Sequence, residues 1–202
     1  MRGMAPGIRT GKPQGMAQLL IADGISKRFY GTQALDHVSI ALEAGQIHAV
    51  VGENGAGKST LIKILGGMYH PDEGSLVMDG RPRHFDGPAD ALGAGIVVIP
   101  QEIRVVPAQT VAENVLLGQV QERRLLGFLP VVDKREMRSR ARVLLERFNL
   151  DLDLGATVER LSFAERQLVM IARALSREAR LLILDEPTAA LEVREVERLF
   201  EV

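Results

Sequence analysis

Gly52-Glu53-Asn54-Gly55-Ala56-Gly57-Lys58-Ser59 has the form G-x-x-x-x-G-K-[ST]; it follows the apolar stretch Ile47 to Val51 and precedes a helical pattern beginning Thr60-Leu61-Ile62-Lys63-Ile64-Leu65. This context predicts a phosphate-binding loop. Glycines let the backbone turn so that several N–H groups point inward, and the N-terminus of the following helix adds its partial positive charge. Lys58 would then reach the β and γ phosphates of a nucleotide, and Ser59 would place its hydroxyl on Mg²⁺. A plain turn or linker does not require Lys-Ser at this spacing between a strand and a helix.

A second group of residues suits the same chemistry. Leu181-Leu182-Ile183-Leu184-Asp185-Glu186-Pro187 is a fully apolar strand ending in two acids, as expected where a buried parallel strand meets a ligand at its carboxyl end. Asp185 can hold the Mg²⁺, directly or through water, and Glu186 can accept a proton from an attacking water. On its own the acid pair would read as a cap for the next helix; beside a phosphate loop the ligand reading prevails. The third element is Leu161-Ser162-Phe163-Ala164-Glu165-Arg166-Gln167, in which Ser162 is a natural N-cap with Glu165 at N3.

These residues need a scaffold, and composition allows one. The chain has 202 residues, 46% of them apolar and 25% charged, enough for one compact domain or a core with a smaller subdomain. A net charge of −1 provides no basic field for nucleic acid. The absence of cysteine excludes disulfides, thiolate metal sites and a cysteine nucleophile. No apolar run approaches the ~18 residues a membrane span needs. Met1 to Ala17 carries Arg2, Arg9 and Lys12 with no acid and no apolar core, and reads as a disordered leader, with Met16 as an alternative start.

Patterning predicts strands from Leu19 to Phe29 and Ala34 to Leu42, a phosphate-loop strand at Ile47 to Val51, and a helix ending near Gly66-Gly67. A strand from Ser75 to Met78 enters a hairpin at Asp79-Gly80, and a buried strand follows at Ile96 to Ile99. Beyond Pro100 the texture is helical for most of the next sixty-odd residues, predicting a helical subdomain over about 101–165. Thr110 with Glu113 and Asp133 with Glu136 have capping spacing, and Met137, Ala141, Leu144, Leu145 and Phe148 share one face of the second helix. The apolar run Leu125 to Val132 reads as subdomain core, or alternatively as a partner contact.

Taken together, Gly52 to Thr60, Pro100-Gln101-Glu102, Thr110 to Gly118, Leu161 to Gln167 and Asp185 to Leu191 resemble the nucleotide-binding subunits of ATP-binding-cassette transporters, from about Leu19 to Val202. Within that family the chain is most similar to the first of the two tandem cassettes of monosaccharide importers of the ribose, galactose and xylose type. The resemblance implies an α/β fold: a P-loop NTPase core with an antiparallel β subdomain and an inserted α-helical subdomain. It implies ATP and Mg²⁺ as ligands, with Gly52, Glu53, Asn54, Gly55, Ala56, Gly57, Lys58, Ser59 and Thr60 around the phosphates. Phe29, or less favourably Tyr30, would stack on adenine, a contact worth about 1–3 kcal/mol by analogy with other base-stacking sites. Ser59, Gln101 and Asp185 would serve the metal, Gln101 also sensing the attacking water, and Glu186, Gln101 and Lys58 would be catalytic. Ser162 and Ala164 would face the γ-phosphate held by a second cassette, so that one copy is half an active site. The implied partners are that second nucleotide-binding domain, transmembrane permease subunits and, indirectly, an extracytoplasmic sugar-binding protein. The implied location is peripheral, on the cytoplasmic face of the plasma membrane.

The chain departs from the family's pattern in places. The usual Leu-Ser-Gly-Gly-Gln run is here Leu161-Ser162-Phe163-Ala164-Glu165, and a glutamate near a triphosphate is unhelpful unless the cap holds its carboxylate. Weakened rather than abolished signature function is therefore expected. Glu192 stands where aspartate is common. Val193, Val196, Leu199 and Phe200 share a face of a helix still running at Val202, and none of His37, His48, His70 or His84 matches the family's γ-phosphate histidine. On the family's topology, the fold is expected to be incomplete after 202. The strand lying between the phosphate-loop strand and Leu181 to Leu184 would then be lacking, leaving two interior edges unpaired. Three functions follow from the resemblance: an ATPase subunit coupling MgATP hydrolysis to uptake of a small sugar, a truncated non-enzymatic remnant of one, and a non-transport cassette ATPase.

Overall fold

The computed structural model describes residues 18–119, 122–125 and 129–185. The proposed leader, Glu186 and everything after it lie outside the described residues. Two compact units divide between Gly93 and Ala94.

In the first unit β1 (Gln18–Phe29) and β2 (Thr32–Glu43) form a long antiparallel hairpin, and β3 (Glu73–Met78) and β4 (Arg81–Arg83) extend it in the order β2-β1-β3-β4. Both hairpin turns follow from their residues. Asp79 and Gly80 have φ of 53° and 71°, and Tyr30 and Gly31 have φ of 45° and 86°, the left-handed pair that makes a two-residue turn match the twist of its strands. Alternation buries Leu20 and Ala22 of β1 and Leu76 and Met78 of β3, and Ile25, beyond a register shift that follows Ala22, is buried as well. Helix α1 (Lys58–Leu65) buries Leu61, Ile64 and Leu65; it ends at Gly66, and Gly67 takes φ 72°, as the glycine pair predicts. A short α2 (Pro88–Gly93) closes the unit.

The predicted strand at Ile47 to Val51 is not formed. Among the described residues no strand pairs with it, and Ile47 and Val51 stand 80% and 88% exposed. A parallel strand exists only through its neighbours' hydrogen bonds, so apolar β-branched residues alone do not make one.

In the second unit β5 (Ile96–Ile99) pairs in parallel with β8 (Leu181–Leu184), from Ile96↔Leu181 to Ile99↔Leu184. Between them come α3 (Val111–Val115), α4 (Lys134–Arg147), a 3-10 turn (Val158–Arg160) and α5 (Phe163–Leu175). The predicted face of α4 holds: Met137, Ala141 and Leu145 are buried in one cluster with Val111 and Val115 of α3, Val169 and Ala172 of α5, and Leu150, Leu152 and Leu154, while Leu144 and Phe148 pack against it. The helical texture is interrupted, however. β6 (Glu122–Leu125) and β7 (Leu129–Val132) form an antiparallel ribbon. Pro130 offers no N–H to continue a helix and is tolerated in a two-stranded ribbon, where every strand is an edge. The side chains of 122–130 lie outside the described residues.

Two polar features hold this second core. Asn114, fully buried, donates from Nδ2 to the carbonyls of Val106 (2.9 Å) and Thr110 (3.2 Å) and accepts at Oδ1 from the Val106 N–H (2.8 Å). Arg173 of α5 donates to Asn114 Oδ1, the Asn114 carbonyl and the Arg104 carbonyl, each at 2.8 Å. All these acceptors are neutral, and burial first, then Arg177, lowers the affinity of the Arg173 guanidinium for its proton. The second feature is the cap of α3. Glu113 accepts from the Thr110 N–H at 2.9 Å and pairs with Lys134 at 3.0 Å, and Thr110 Oγ1 accepts from the Glu113 N–H at 3.3 Å.

Asn114→Ala removes four backbone contacts and strands an Arg173 donor, so it is expected to lower unfolding free energy by about 2–4 kcal/mol, read from urea denaturation. The Glu113 carboxylate is held below its ordinary range, by the Thr110 N–H first and Lys134 second. A depressed folded pKa contributes stability that is complete above the unfolded value and is lost as pH falls through the folded one. The stability advantage of the natural chain over Glu113→Gln should therefore be full at neutral pH and fade below about pH 4.5.

Candidate nucleotide-binding site

Residues Gly52 to Ala56 are exposed, with Gly57 and Lys58 half-buried behind them. The loop turns through a hydrogen bond from the Ala56 N–H to the Glu53 carbonyl (3.1 Å) and through Gly55 at φ 85°. Gly57 decides the geometry. Its φ is 88°, and a Cβ there would come within 2.4 Å of the Ala34 carbonyl oxygen and 2.7 Å of Leu35 Cδ2. Only glycine satisfies both demands, so the loop is seated directly on β2.

Gly57 is also the N-cap of α1. It has no side chain to satisfy the first N–H groups, and the first turn contains no acid. Those donors and the positive end of the helix are therefore available to an anion. Lys58 curls inward, with Nζ donating to the Gly52 (2.7 Å) and Glu53 (3.0 Å) carbonyls. Its ammonium thus lies in the loop's own cradle. Ser59 is exposed and Thr60 half-buried in the first turn. The donor set fits a phosphate chain, and the Ser59 hydroxyl fits a hard cation such as Mg²⁺.

Phe29 and Tyr30 separate sharply. Tyr30 projects from the tip of the turn, fully exposed, whereas Phe29 is half-buried at the end of β1 and paired with Thr32. The Phe29 ring meets Tyr69 at 5.2 Å between centroids and 62° between planes. Tyr69 carried no periodic or spacing signal in the sequence; its place depends on a tertiary contact.

In the second unit, strand pairing brings Gln101 and Asp185 to the same end of the sheet. Ile99 lies opposite Leu184, and the Asp185 N–H donates to the Ile99 carbonyl at 3.0 Å. Both residues therefore leave the carboxyl ends of adjacent parallel strands, where α/β proteins place their ligands. No cluster of three or more acidic, histidine or cysteine side chains suited to a metal occurs among the described residues.

Ser162 is the N-cap of α5, as its sequence predicts. Its Oγ accepts from the Glu165 N–H (3.2 Å), and Glu165 Oε2 accepts from the Ser162 N–H (2.7 Å). The glutamate that replaces glycine's usual neighbour is thus held by the cap. Phe163 is 47% exposed and Ala164 half-buried at the same helix start. Arg173 was not foreseen, although a cation on the face that buries Val169 and Ala172 is a signal that periodicity could have supplied.

The chain is similar to known proteins over most of its length. A family model described as ABC transporter matches residues 35–189. The chain is 50% identical over 187 residues to the arabinose import ATP-binding protein AraG 1 of Burkholderia ambifaria, covering 93% of this chain and 36% of that protein. It is 48% identical over 201 residues to the ribose import ATP-binding protein RbsA 2 of Rubrobacter xylanophilus, covering all of this chain and 37% of that one. The chain therefore spans little more than a third of the length of these curated relatives. Among solved structures, the ADP conformation of an ATP-binding cassette of an ABC transporter superposes with a TM-score of 0.75 at 29% identity, covering 91% of this chain and 74% of that one. With the family model matching most of its length, the chain belongs to the ABC transporter family.

Proposed function

We propose that the protein is the ATP-binding part of an importer that couples MgATP hydrolysis to uptake of a small sugar. The observation that carries this reading is the seating of Gly57 on Ala34, which leaves an uncapped helix start beside the Lys58 ammonium, held inside the loop on the Gly52 and Glu53 carbonyls. The relatives named for arabinose and ribose import support a pentose or similar monosaccharide as the cargo.

In this reading Lys58 and the N–H groups of the loop bind the β and γ phosphates, and Phe29 stacks on the base. Ser59, Asp185 and Gln101 hold Mg²⁺, which when bound draws charge from the phosphate oxygens. Gln101 orients the attacking water, and Glu186, outside the described residues, takes its proton. Ser162 and Ala164 present the start of α5 to the γ-phosphate on a second cassette. Glu165, tied to the Ser162 N–H, is kept from opposing that charge. A permease at the cytoplasmic face of the membrane, served by an extracytoplasmic sugar-binding protein, would receive the work. Among the described residues no helix is long and apolar enough to cross a membrane.

MgATP should raise the thermal midpoint of the natural chain, and Lys58→Ala should remove that shift. An unmoved midpoint in the natural chain contradicts the proposal. Glu186→Gln should retain binding while lowering hydrolysis by about 10²–10⁴-fold; hydrolysis at an undiminished rate removes Glu186 as the base.

A further inference from the structure

Base and phosphates belong to one covalently connected ligand of limited span, so the aromatic residue and the phosphate loop must be held within its reach of each other. The loop end of α1 is fixed by Gly57 on Ala34 and Leu35 of β2. At the other end of α1, about 12 Å away by helical rise, the chain turns back through hydrogen bonds from the Met68 and Tyr69 N–H groups to the Lys63 carbonyl (2.8 and 3.2 Å). Tyr69, emerging there, lies against Phe29. The hairpin is therefore connected to α1 twice, once at the phosphate loop and once at the residue assigned to the base.

Phe29 needs such a brace. It is the last residue of β1 before a two-residue turn, where strand pairing alone restrains a ring weakly. The surrounding charges reinforce the contact. Lys27 Nζ lies 5.6 Å from the Phe29 centroid and is itself anchored on Asp72 at 2.6 Å; Asp72 also accepts from the Arg28 N–H at 2.7 Å. Lys63 Nζ lies 5.5 Å from the Tyr69 centroid. Each ring is thus paired with the other and with a cation. With 62° between the planes, a base stacked flat on Phe29 cannot also stack flat on Tyr69.

We propose that Tyr69 is a positioning residue for nucleobase binding: its ring, carried by the C-terminal end of α1, sets the orientation of Phe29 relative to the phosphate loop. The assignment rests on the nucleotide-binding function proposed above. It separates from that function experimentally, because it concerns the base and leaves the phosphates to Lys58 and the loop.

The test is equilibrium binding of MgATP and of Mg-tripolyphosphate to the natural chain, Tyr69→Leu, Tyr69→Phe, Phe29→Leu and the double Phe29→Leu/Tyr69→Leu variant. Far-UV circular dichroism melts accompany each variant. Tyr69→Leu is expected to weaken MgATP about five- to tenfold and leave Mg-tripolyphosphate within about twofold. Tyr69→Phe should bind like the natural chain, because the ring and not the hydroxyl makes the contact. The double variant should be no weaker than Phe29→Leu, as for two residues acting through one contact. The inference is overturned if Tyr69→Leu leaves MgATP binding intact where Phe29→Leu weakens it, or if it weakens both ligands equally, or if Tyr69→Phe does not restore binding. Tripolyphosphate bound as tightly as MgATP by the natural chain removes the base site, and this inference with it, while sparing the phosphate loop. Failure of the natural chain to bind either ligand contradicts the nucleotide reading itself and everything resting on it.

Discussion

The close approach of Gly57 to the Ala34 carbonyl is the constraint on which the candidate site depends. At φ 88° and with 2.4 Å from a hypothetical Cβ to that oxygen, no other residue fits without moving β2 or the loop. That seating fixes where α1 begins, and the start of α1 fixes where its free N–H groups and Lys58 are directed. A glycine chosen for backbone geometry thereby becomes the origin of an electrostatic site. Its strength comes from helix donors that lack any internal partner.

The second unit uses side-chain amides and a guanidinium where the first uses backbone contact. Asn114 satisfies a loop that follows Gln101 in sequence, and Arg173 ties that loop to the helix whose first turn carries Ser162 and Glu165. A half-buried guanidinium with neutral acceptors contributes mainly by directing geometry, since its fork fits three carbonyl-type oxygens at once. Gln101 and Asp185 reach one sheet end because β5 and β8 are neighbours in register.

What was legible in the sequence was whatever local rules determine. The loop spacing, the Asp79-Gly80 turn, the caps at Thr110, Asp133 and Ser162, and the buried face of α4 all depend on residues within a few positions of one another. Features set by distant partners were harder to read. Ile47 to Val51 has strand composition but no ladder, because a parallel strand is made by its neighbours. The ribbon at Glu122 to Val132 was hidden in a region of helical texture, although Gly127 and Pro130 argued against continuous helix. Tyr69 and Arg173 act across 40 and 59 positions respectively, from Phe29 to Tyr69 and from Asn114 to Arg173, and neither separation follows from periodicity.

Nucleotide engagement at the Gly57-seated loop is the central claim, and hydrogen exchange with and without MgATP tests it most directly. The account predicts slowed exchange at the amides of Gly52 to Thr60 on addition of MgATP, because those N–H groups acquire phosphate acceptors. MgATP binding that leaves the exchange of these amides unchanged and protects another region instead would contradict it.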